Sequence, residues 1–145
     1  MKQMTVKQLS IFLENRSGTL TKVLEILKQA RIPIIASSIA DTAQYGILRI
    51  ICPDPQSALQ ELGKGGIAVA LSDVFAIELD NRPGQAADTI KQFSDADISI
   101  IYMYSFLFHG KGLLVFRTDN ADEAGEVIRK GNLRSITEKD LSDWQ

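Results

Sequence analysis

The chain has 145 residues, the size of about one domain, and contains 45% hydrophobic and 23% charged residues. This balance excludes a disordered chain, and the net charge of −2 argues against a nucleic-acid binder, which usually carries a basic excess. The sequence shows no apolar run long enough to span a membrane, and Cys52 is its only cysteine. We expect no signal peptide, because the first residues lack a long apolar core and a small-residue cleavage site. We therefore expect a cytoplasmic protein with no metal site and no cofactor.

Hydrophobic periodicity in the first half of the chain predicts strand, helix, strand, strand, helix, strand. The expected strands span residues 6–14, 32–40, 47–52 and 67–71. One helix is predicted from Gly18 to about Ala30. A second is predicted from the Pro53-Asp54-Pro55 turn to Gly65-Gly66, a pair typical of a helix C-terminus.

The second half repeats this order. Its predicted strands span residues 74–80, 98–108, 112–118 and 133–137, and its predicted helices span residues 84–95 and 121–130. Ser72-Asp73 is expected to join the halves. The charged tail, residues 138–145, is expected to form a short helical turn that packs Leu141 and Trp144.

A shift of 66 residues aligns the two halves without a gap and gives 14 identities in 57 pairs. Each half has the split-βαβ, ferredoxin-like order. The sequence thus predicts an α+β protein with units at residues 1–71 and 74–137, each an antiparallel sheet with helices on one face. Both faces of the strand at 47–52 are largely apolar, with Arg49 on one of them, so we expect another unit or chain to cover the second face, and hence a homodimer.

The best-matched segment between the halves is the loop from the first strand into the first helix. It reads Glu-Asn-Arg-Ser-Gly at 14–18 and Asp-Asn-Arg-Pro-Gly at 80–84. One interpretation is a helix cap, because serine and asparagine form local hydrogen bonds there. The other is a ligand site, because N–H groups at a helix start attract anions, glycine allows close approach, and an asparagine amide can take an ammonium group.

These loops suit a zwitterion such as an amino acid, and they hold no nucleophile with an adjacent base, so we expect a protein that is not an enzyme. The predicted effector-binding residues in the two loops are Asn15, Arg16, Ser17, Gly18, Thr19, Leu20, Asn81, Arg82, Pro83, Gly84, Gln85 and Ala86.

A βαββαβ unit with such a loop resembles the ACT domain, and over residues 5–137 the chain resembles small stand-alone proteins of two tandem ACT domains. The resemblance implies a non-catalytic regulatory protein that binds a small effector, mostly an amino acid, at ACT–ACT interfaces. It places the ligand between the first-loop asparagine of one domain and the second strand of a neighbour.

The position at the start of the second strand is Pro33 in the first unit and Ser99 in the second. Because proline has no polar side chain and serine has a small one, we expect the better-equipped pocket where the Asn15 loop faces Ser99. Two further segments, at the hairpin of the first unit and in the second strand of the second unit, resemble sequences in tandem ACT-domain proteins. The resemblance predicts that they line the pocket. The alternative is that their tyrosines are ordinary residues of interface strands. The predicted pocket-lining residues are Ser38, Asp41, Thr42, Tyr45, Tyr102 and Tyr104.

Two alternatives remain. The chain can be a regulatory or structural subunit that binds a partner enzyme through its sheet edge without an effector. The RNA-recognition motif shares the topology, but Leu113 stands where that motif requires an aromatic residue, so RNA binding is disfavoured. His109 is the only histidine and is expected to be a turn residue rather than a metal ligand.

Overall fold

The computed structural model describes residues 4–14, 16–41, 45–80 and 82–143. Six strands are present in this part of the chain: β1 (Thr5–Glu14), β2 (Ala36–Asp41), β3 (Tyr45–Ile51), β4 (Val69–Leu79), β5 (Ile100–Phe108) and β6 (Lys111–Thr118). The helices here are α1 (Thr19–Gln29), α2 (Pro55–Lys64), α3 (Gln85–Asp95), α4 (Ala121–Lys130) and α5 (Glu138–Ser142). None of these helices has the length and apolar character needed to cross a membrane.

The chain divides into two compact units. The N-terminal unit comprises residues 7–72 with the segment that begins at Glu138, and the C-terminal unit comprises residues 73–137 with the segment that ends at Val6. The strands β1 and β4 each continue from one unit into the other. Both units follow the βαββαβ order, so the predicted α+β, ferredoxin-like fold is confirmed.

The N-terminal unit has the antiparallel strand order β2-β3-β1. The start of β4 returns beside β1, where the N–H of Phe12 donates to the carbonyl of Ala68 at 3.0 Å. Both helices of the unit cover one face, because alternate strand residues and residues four apart on the helices point into the same core. Its fully buried members include Leu9, Ile11, Val23, Leu27, Leu48, Ile50, Ala58 and Leu62.

The C-terminal unit has the matching order β4-β6-β5. Residues 134–136 return beside β4: the N–H of Glu78 donates to the carbonyl of Arg134, and the N–H of Ile136 donates to that of Ala76, both at 2.8 Å. An edge-to-face pair between Phe93 and Phe116, with centroids 5.1 Å apart, lies in its core. The other buried core members are Phe75, Ile77, Ile98, Leu114, Ala124 and Ile128.

The repeat is also present in the backbone. Gly18 and Gly84 have φ of 93° and 85°, and Arg31 and Asp97 have φ of 58° and 60°. The pair Gly66 and Asn132, with φ of 78° and 52°, has the same spacing of 66 residues. Left-handed backbone is rare for residues other than glycine, so three matched pairs show that conformation is retained even where residue types differ.

Two predicted strands begin too early. The expected strand at 32–40 starts only at Ala36, and the one at 98–108 starts at Ile100. The left-handed Arg31 and Asp97 turn the chain at the helix ends, where the N–H groups of Ile32 and Ile98 still donate to the carbonyls of Leu27 and Phe93. These apolar residues therefore close the helices instead of extending the strands.

The predicted strands at 67–71 and 74–80 are one continuous strand, β4, and the expected join at Ser72-Asp73 lies inside it. Conversely, the predicted strand at 133–137 forms only an isolated bridge between Ile77 and Ser135. The tail forms α5, whose Leu141 is buried, as expected. Trp144 lies outside the described residues.

Two substitutions at positions with positive φ should change the free energy of unfolding in opposite directions. We expect Arg31→Gly to raise the free energy of unfolding by about 0.5–1 kcal/mol, because glycine adopts positive φ without the clash of a Cβ. Gly84→Ala should lower it by about 1 kcal/mol through backbone strain alone, since a Cβ there would meet no atom within 4 Å. Urea denaturation measures both changes, and a loss of stability in Arg31→Gly would contradict the assigned backbone.

Candidate functional site

The two matched loops place glycine, not serine, at the helix start. Gly18 precedes the first residue of α1 and Gly84 precedes that of α3, and within the described residues no side chain caps either helix. The positive φ of both glycines explains why both copies retain glycine. Asn15 and Asn81 lie outside the described residues. Ser17, Pro83 and Ala86 are exposed beside these glycines.

The loops share a backbone turn but differ in their ion pairs. The N–H of Arg16 donates to the carbonyl of Glu14 at 2.8 Å, and that of Arg82 donates to Asp80 at 2.9 Å. The Arg16 Nε lies 3.0 Å from the Glu14 carboxylate, whereas the Arg82 guanidinium lies 4.0 Å from Asp88 on α3. The two arginines thus neutralise carboxylates at different positions.

A cavity of about 330 Å³ opens beside the loop of the N-terminal unit. We call it the aromatic cavity, because its wall includes the rings of Phe12 and Tyr45, whose centroids lie 5.9 Å apart. These rings are 53% and 40% exposed, so they present a large apolar surface to solvent. The volume falls in the range of small-molecule sites, roughly 300–1,000 Å³. The cavity is lined by Phe12, Leu13, Glu14, Arg16, Thr19, Lys22, Val23, Tyr45, Gly66, Ile67 and Ala68.

The polar side of the aromatic cavity carries one carboxylate and two cations. Glu14 and Arg16 pair with each other, whereas Lys22 forms no ion pair within the described part of the chain. The hydroxyl of Thr19 donates to the carbonyls of Glu14 and Arg16 at 3.0 and 3.1 Å, which fixes the loop against α1. The cavity therefore combines an apolar wall with an excess positive charge.

The C-terminal unit has charged residues at the equivalent positions. Glu78 replaces Phe12, Lys111 replaces Tyr45, and Arg134 replaces Ala68, each 66 residues later. The Glu78 Oε1 lies 2.9 Å from the Lys111 Nζ and 3.3 Å from the Arg134 Nη1. The hydrogen bond from Lys111, together with Arg134, holds the pKa of the Glu78 carboxyl below its usual value. We call these three residues the ion cluster.

The start of α3 is also more polar than the start of α1. Gln85 and Thr89 stand where the N-terminal unit has Thr19 and Val23, and the Gln85 Nε2 lies 3.5 Å from the Thr89 hydroxyl. The Gln85 Oε1 is buried and has no hydrogen-bond partner within the described residues. Asp88 replaces Lys22 and pairs with Arg82. The C-terminal copy therefore lacks both the apolar wall and the excess cation.

The structure brings only part of the predicted site together. Arg16, Thr19 and Tyr45 line the aromatic cavity, whereas Leu20 packs against the core of its unit. Ser99 is exposed just before β5, and its N–H donates to the Asp119 carboxylate at 3.1 Å. Its pairing with the Asn15 loop stays a prediction.

The other predicted lining residues lie on strands. Ser38 is half-buried on β2 opposite Arg49, and Tyr102 and Tyr104 are half-buried on β5 opposite Arg117 and Val115. Asp41 ends β2, but its side chain lies outside the described residues, as does the whole of Thr42.

Sequence reasoning missed Phe12, Lys22 and the segment Gly66–Ala68. The signal was available in the 66-residue alignment. The loop was identified from positions where the two copies have the same residue. Phe12, Lys22 and Ala68 are positions where they differ, because the aligned residue in the other copy carries a different charge. Differences between the copies, rather than identities, mark these three residues of the cavity.

A second cavity, of about 500 Å³, lies at the β5–β6 hairpin of the C-terminal unit. It is lined by residues that include Leu79, Asp80, Phe106 and Leu113, and it does not include the start of α3. His109 is exposed in the hairpin with a φ of 52°, in the turn that the sequence predicted.

The residues that the structure describes offer little for covalent or metal chemistry. Burial raises the pKa of the Cys52 thiol to about 11, so it stays protonated and unreactive at neutral pH. Among these residues, no group of three or more histidine, cysteine, aspartate or glutamate side chains is placed to hold a metal ion.

The family model of the ACT domain pair matches residues 4–145. The chain belongs to the ACT domain pair family. A crystal structure of a protein from Bacteroides thetaiotaomicron is 39% identical, with a TM-score of 0.90 and coverage of 97% of both chains.

More distant structures share the fold. The ligand-free regulatory subunit of aspartate kinase from Thermus thermophilus is 13% identical with a TM-score of 0.60, and covers 86% of this chain and 91% of its own. The corresponding subunit from Thermus flavus is 14% identical with a TM-score of 0.60, and covers 88% and 90%. No curated protein sequence matches the chain.

The ion cluster predicts a pH-dependent stability. Because the folded-state pKa of Glu78 is lowered, its stabilisation is present above the unfolded-state value of about 4.3 and is lost as the pH falls through the folded-state value. We expect Glu78→Gln to cost about 0.5–1.5 kcal/mol at pH 7 and progressively less below pH 4. Urea denaturation from pH 7 to pH 3 checks this, and a difference that does not change with pH would contradict it.

Proposed function

We propose that this ACT domain pair is a non-catalytic regulatory protein that binds a small effector, an amino acid, at ACT–ACT interfaces. The observation that carries the proposal is the pair of glycine-started loops, in which Gly18 and Gly84 share the same left-handed backbone at the starts of α1 and α3. No described side chain caps either helix start, so first-turn N–H groups are left to bind an anion.

The loops supply groups for both ends of an amino acid. The N–H groups of Gly18, Thr19 and Leu20, and those of Gly84 and Ala86, are assigned to the carboxylate. The N–H of Gln85, which the sequence also suggested, already donates to the carbonyl of Arg82 at 3.4 Å. The amides of Asn15 and Asn81 are assigned to the ammonium group, and Ser99 to the neighbouring wall. The likeness to regulatory subunits of aspartate kinase supports a regulatory role, since those proteins share the fold of this chain.

A site shared between ACT units gives the protein a means of signalling. A ligand shifts a packing equilibrium only as far as it binds one arrangement better than another. A pocket with walls from two units makes affinity depend on their arrangement, so occupancy is transmitted to a partner enzyme or to the protein's own oligomer. We place this protein in the cytoplasm, where free amino acids report metabolic state.

The exposed side chains of β5 favour a second candidate, a subunit that binds a partner enzyme without an effector. β5 ends the strand order of its unit, and Ile101, Met103 and Leu107 on it are 55%, 51% and 79% exposed. Edge strands with exposed apolar residues are typical of protein contacts.

A thermal-shift screen of the twenty amino acids tests the effector proposal. We expect at least one of them to raise the melting temperature at millimolar concentration, because a ligand that binds only the folded state stabilises it. Asn15→Ala and Asn81→Ala should weaken the shift. Asn120→Ser is the matched control, since it keeps a capping oxygen at the start of α4, outside the loops. If no amino acid produces a shift, the partner-subunit alternative replaces the sensor.

Oligomeric state is a separate expectation. We expect a homodimer, because Ile101, Met103 and Leu107 on β5 expose apolar surface that a monomer would leave in water. Light scattering coupled to size exclusion at micromolar protein should give the mass of two chains. A monomer mass with and without the effector found in the screen would refute this.

A further inference from the structure

We propose that the two copies have diverged into one open and one closed site, so that each chain binds one amino acid with an apolar side chain in the aromatic cavity. This inference rests on the proposed function and specifies its ligand class and stoichiometry. It begins from a comparison of equivalent positions, because the two units share their backbone at Gly18/Gly84 and Gly66/Asn132.

The closed state of the C-terminal copy follows from the ion cluster. Arg134 extends a long side chain from the position where Ala68 has only a methyl group, and its guanidinium reaches Glu78, which replaces Phe12. Lys111 pairs with the same carboxylate. Because the Glu78 side chain is only 21% exposed and holds two cations, this surface is occupied by its own charges rather than open to a ligand.

The open state of the N-terminal copy follows from the small residues at its far wall. Gly66 and Ala68 stand where the other unit has the longer Asn132 and Arg134, and the cavity of about 330 Å³ lies beside these two small residues. Phe12 and Tyr45 form a tilted aromatic pair over this volume. A wall of two rings and a methyl group favours an apolar side chain, which leaves water on contact with it.

The charges at the mouth specify the other end of the ligand. Lys22 forms no ion pair within the described ranges, so its ammonium group is available to a carboxylate. The Glu14 carboxylate is paired with Arg16 at 3.0 Å, so Lys22 is the one charge at this mouth without an ion partner in the described ranges. In the C-terminal copy the equivalent of Lys22 is Asp88, which neutralises Arg82 and leaves no excess cation. The chemistry of the aromatic cavity thus fits the carboxylate and an apolar side chain of an amino acid.

The test compares apolar with charged amino acids on the full chain. L-Phenylalanine and L-leucine should raise the melting temperature more than L-aspartate or L-lysine, and calorimetry should give one site per chain. Ala68→Arg, which introduces the residue of the closed copy, should abolish the shift. Arg129→Ala, which removes an exposed arginine on α4 outside both sites, should leave it unchanged. Lys22→Met should weaken binding by roughly threefold to tenfold while the protein stays folded.

The outcomes separate this inference from the function on which it rests. A shift with L-phenylalanine or L-leucine that survives Ala68→Arg, or two sites per chain, overturns the inference and leaves the effector proposal standing. A shift with charged amino acids only overturns the ligand class. If no amino acid shifts the melting temperature, the effector proposal fails and this inference fails with it. If Ala68→Arg does not fold, the Lys22→Met affinity decides, and an unchanged affinity overturns the inference.

Discussion

The left-handed glycine at the start of the first helix is the constraint on which each unit depends. At Gly18 and Gly84 the chain must leave a strand, reverse, and enter a helix that packs on the same sheet. A Cβ would meet no atom at either place, so the demand comes from the backbone itself. The turn fixes where α1 and α3 begin and thereby which of their residues reach the core and which line the loop.

The same turn separates structural from functional interpretation. The helix-cap interpretation assigned the loop's conservation between copies to local hydrogen bonds from serine and asparagine. The glycine φ values now account for the glycines without any ligand. What local geometry does not account for is the contrast between the surfaces beside the two turns, one aromatic and one ionic. That contrast concerns side chains at the surface, where ligand binding and solvation act.

Much of the fold was predictable from the sequence, because strand and helix periodicities are set by burial and the 66-residue repeat doubles each signal. Boundaries failed where a left-handed residue other than glycine intervened. Arginine rarely adopts a positive φ, and aspartate, although enriched there, does so too seldom for Asp97 to be singled out from the sequence. The site was only partly predictable. Arg16, Thr19 and Tyr45 were expected to contact a ligand, and they do line a cavity. Lys22 lies on α1 and Ala68 lies just before β4, so these two residues become neighbours only in the folded chain.

Each unit is completed by a terminal segment from the other half of the sequence, so neither half can be separated without loss. A cut between Ser72 and Asp73 would remove from the C-terminal half the segment with Met4, which packs against its core. It would remove from the N-terminal half α5 and the buried Leu141. Neither half of the gene encodes a complete unit, although each encodes a complete βαββαβ pattern. The two halves therefore form a single module, because a fragment that carries one half lacks a segment that completes its unit.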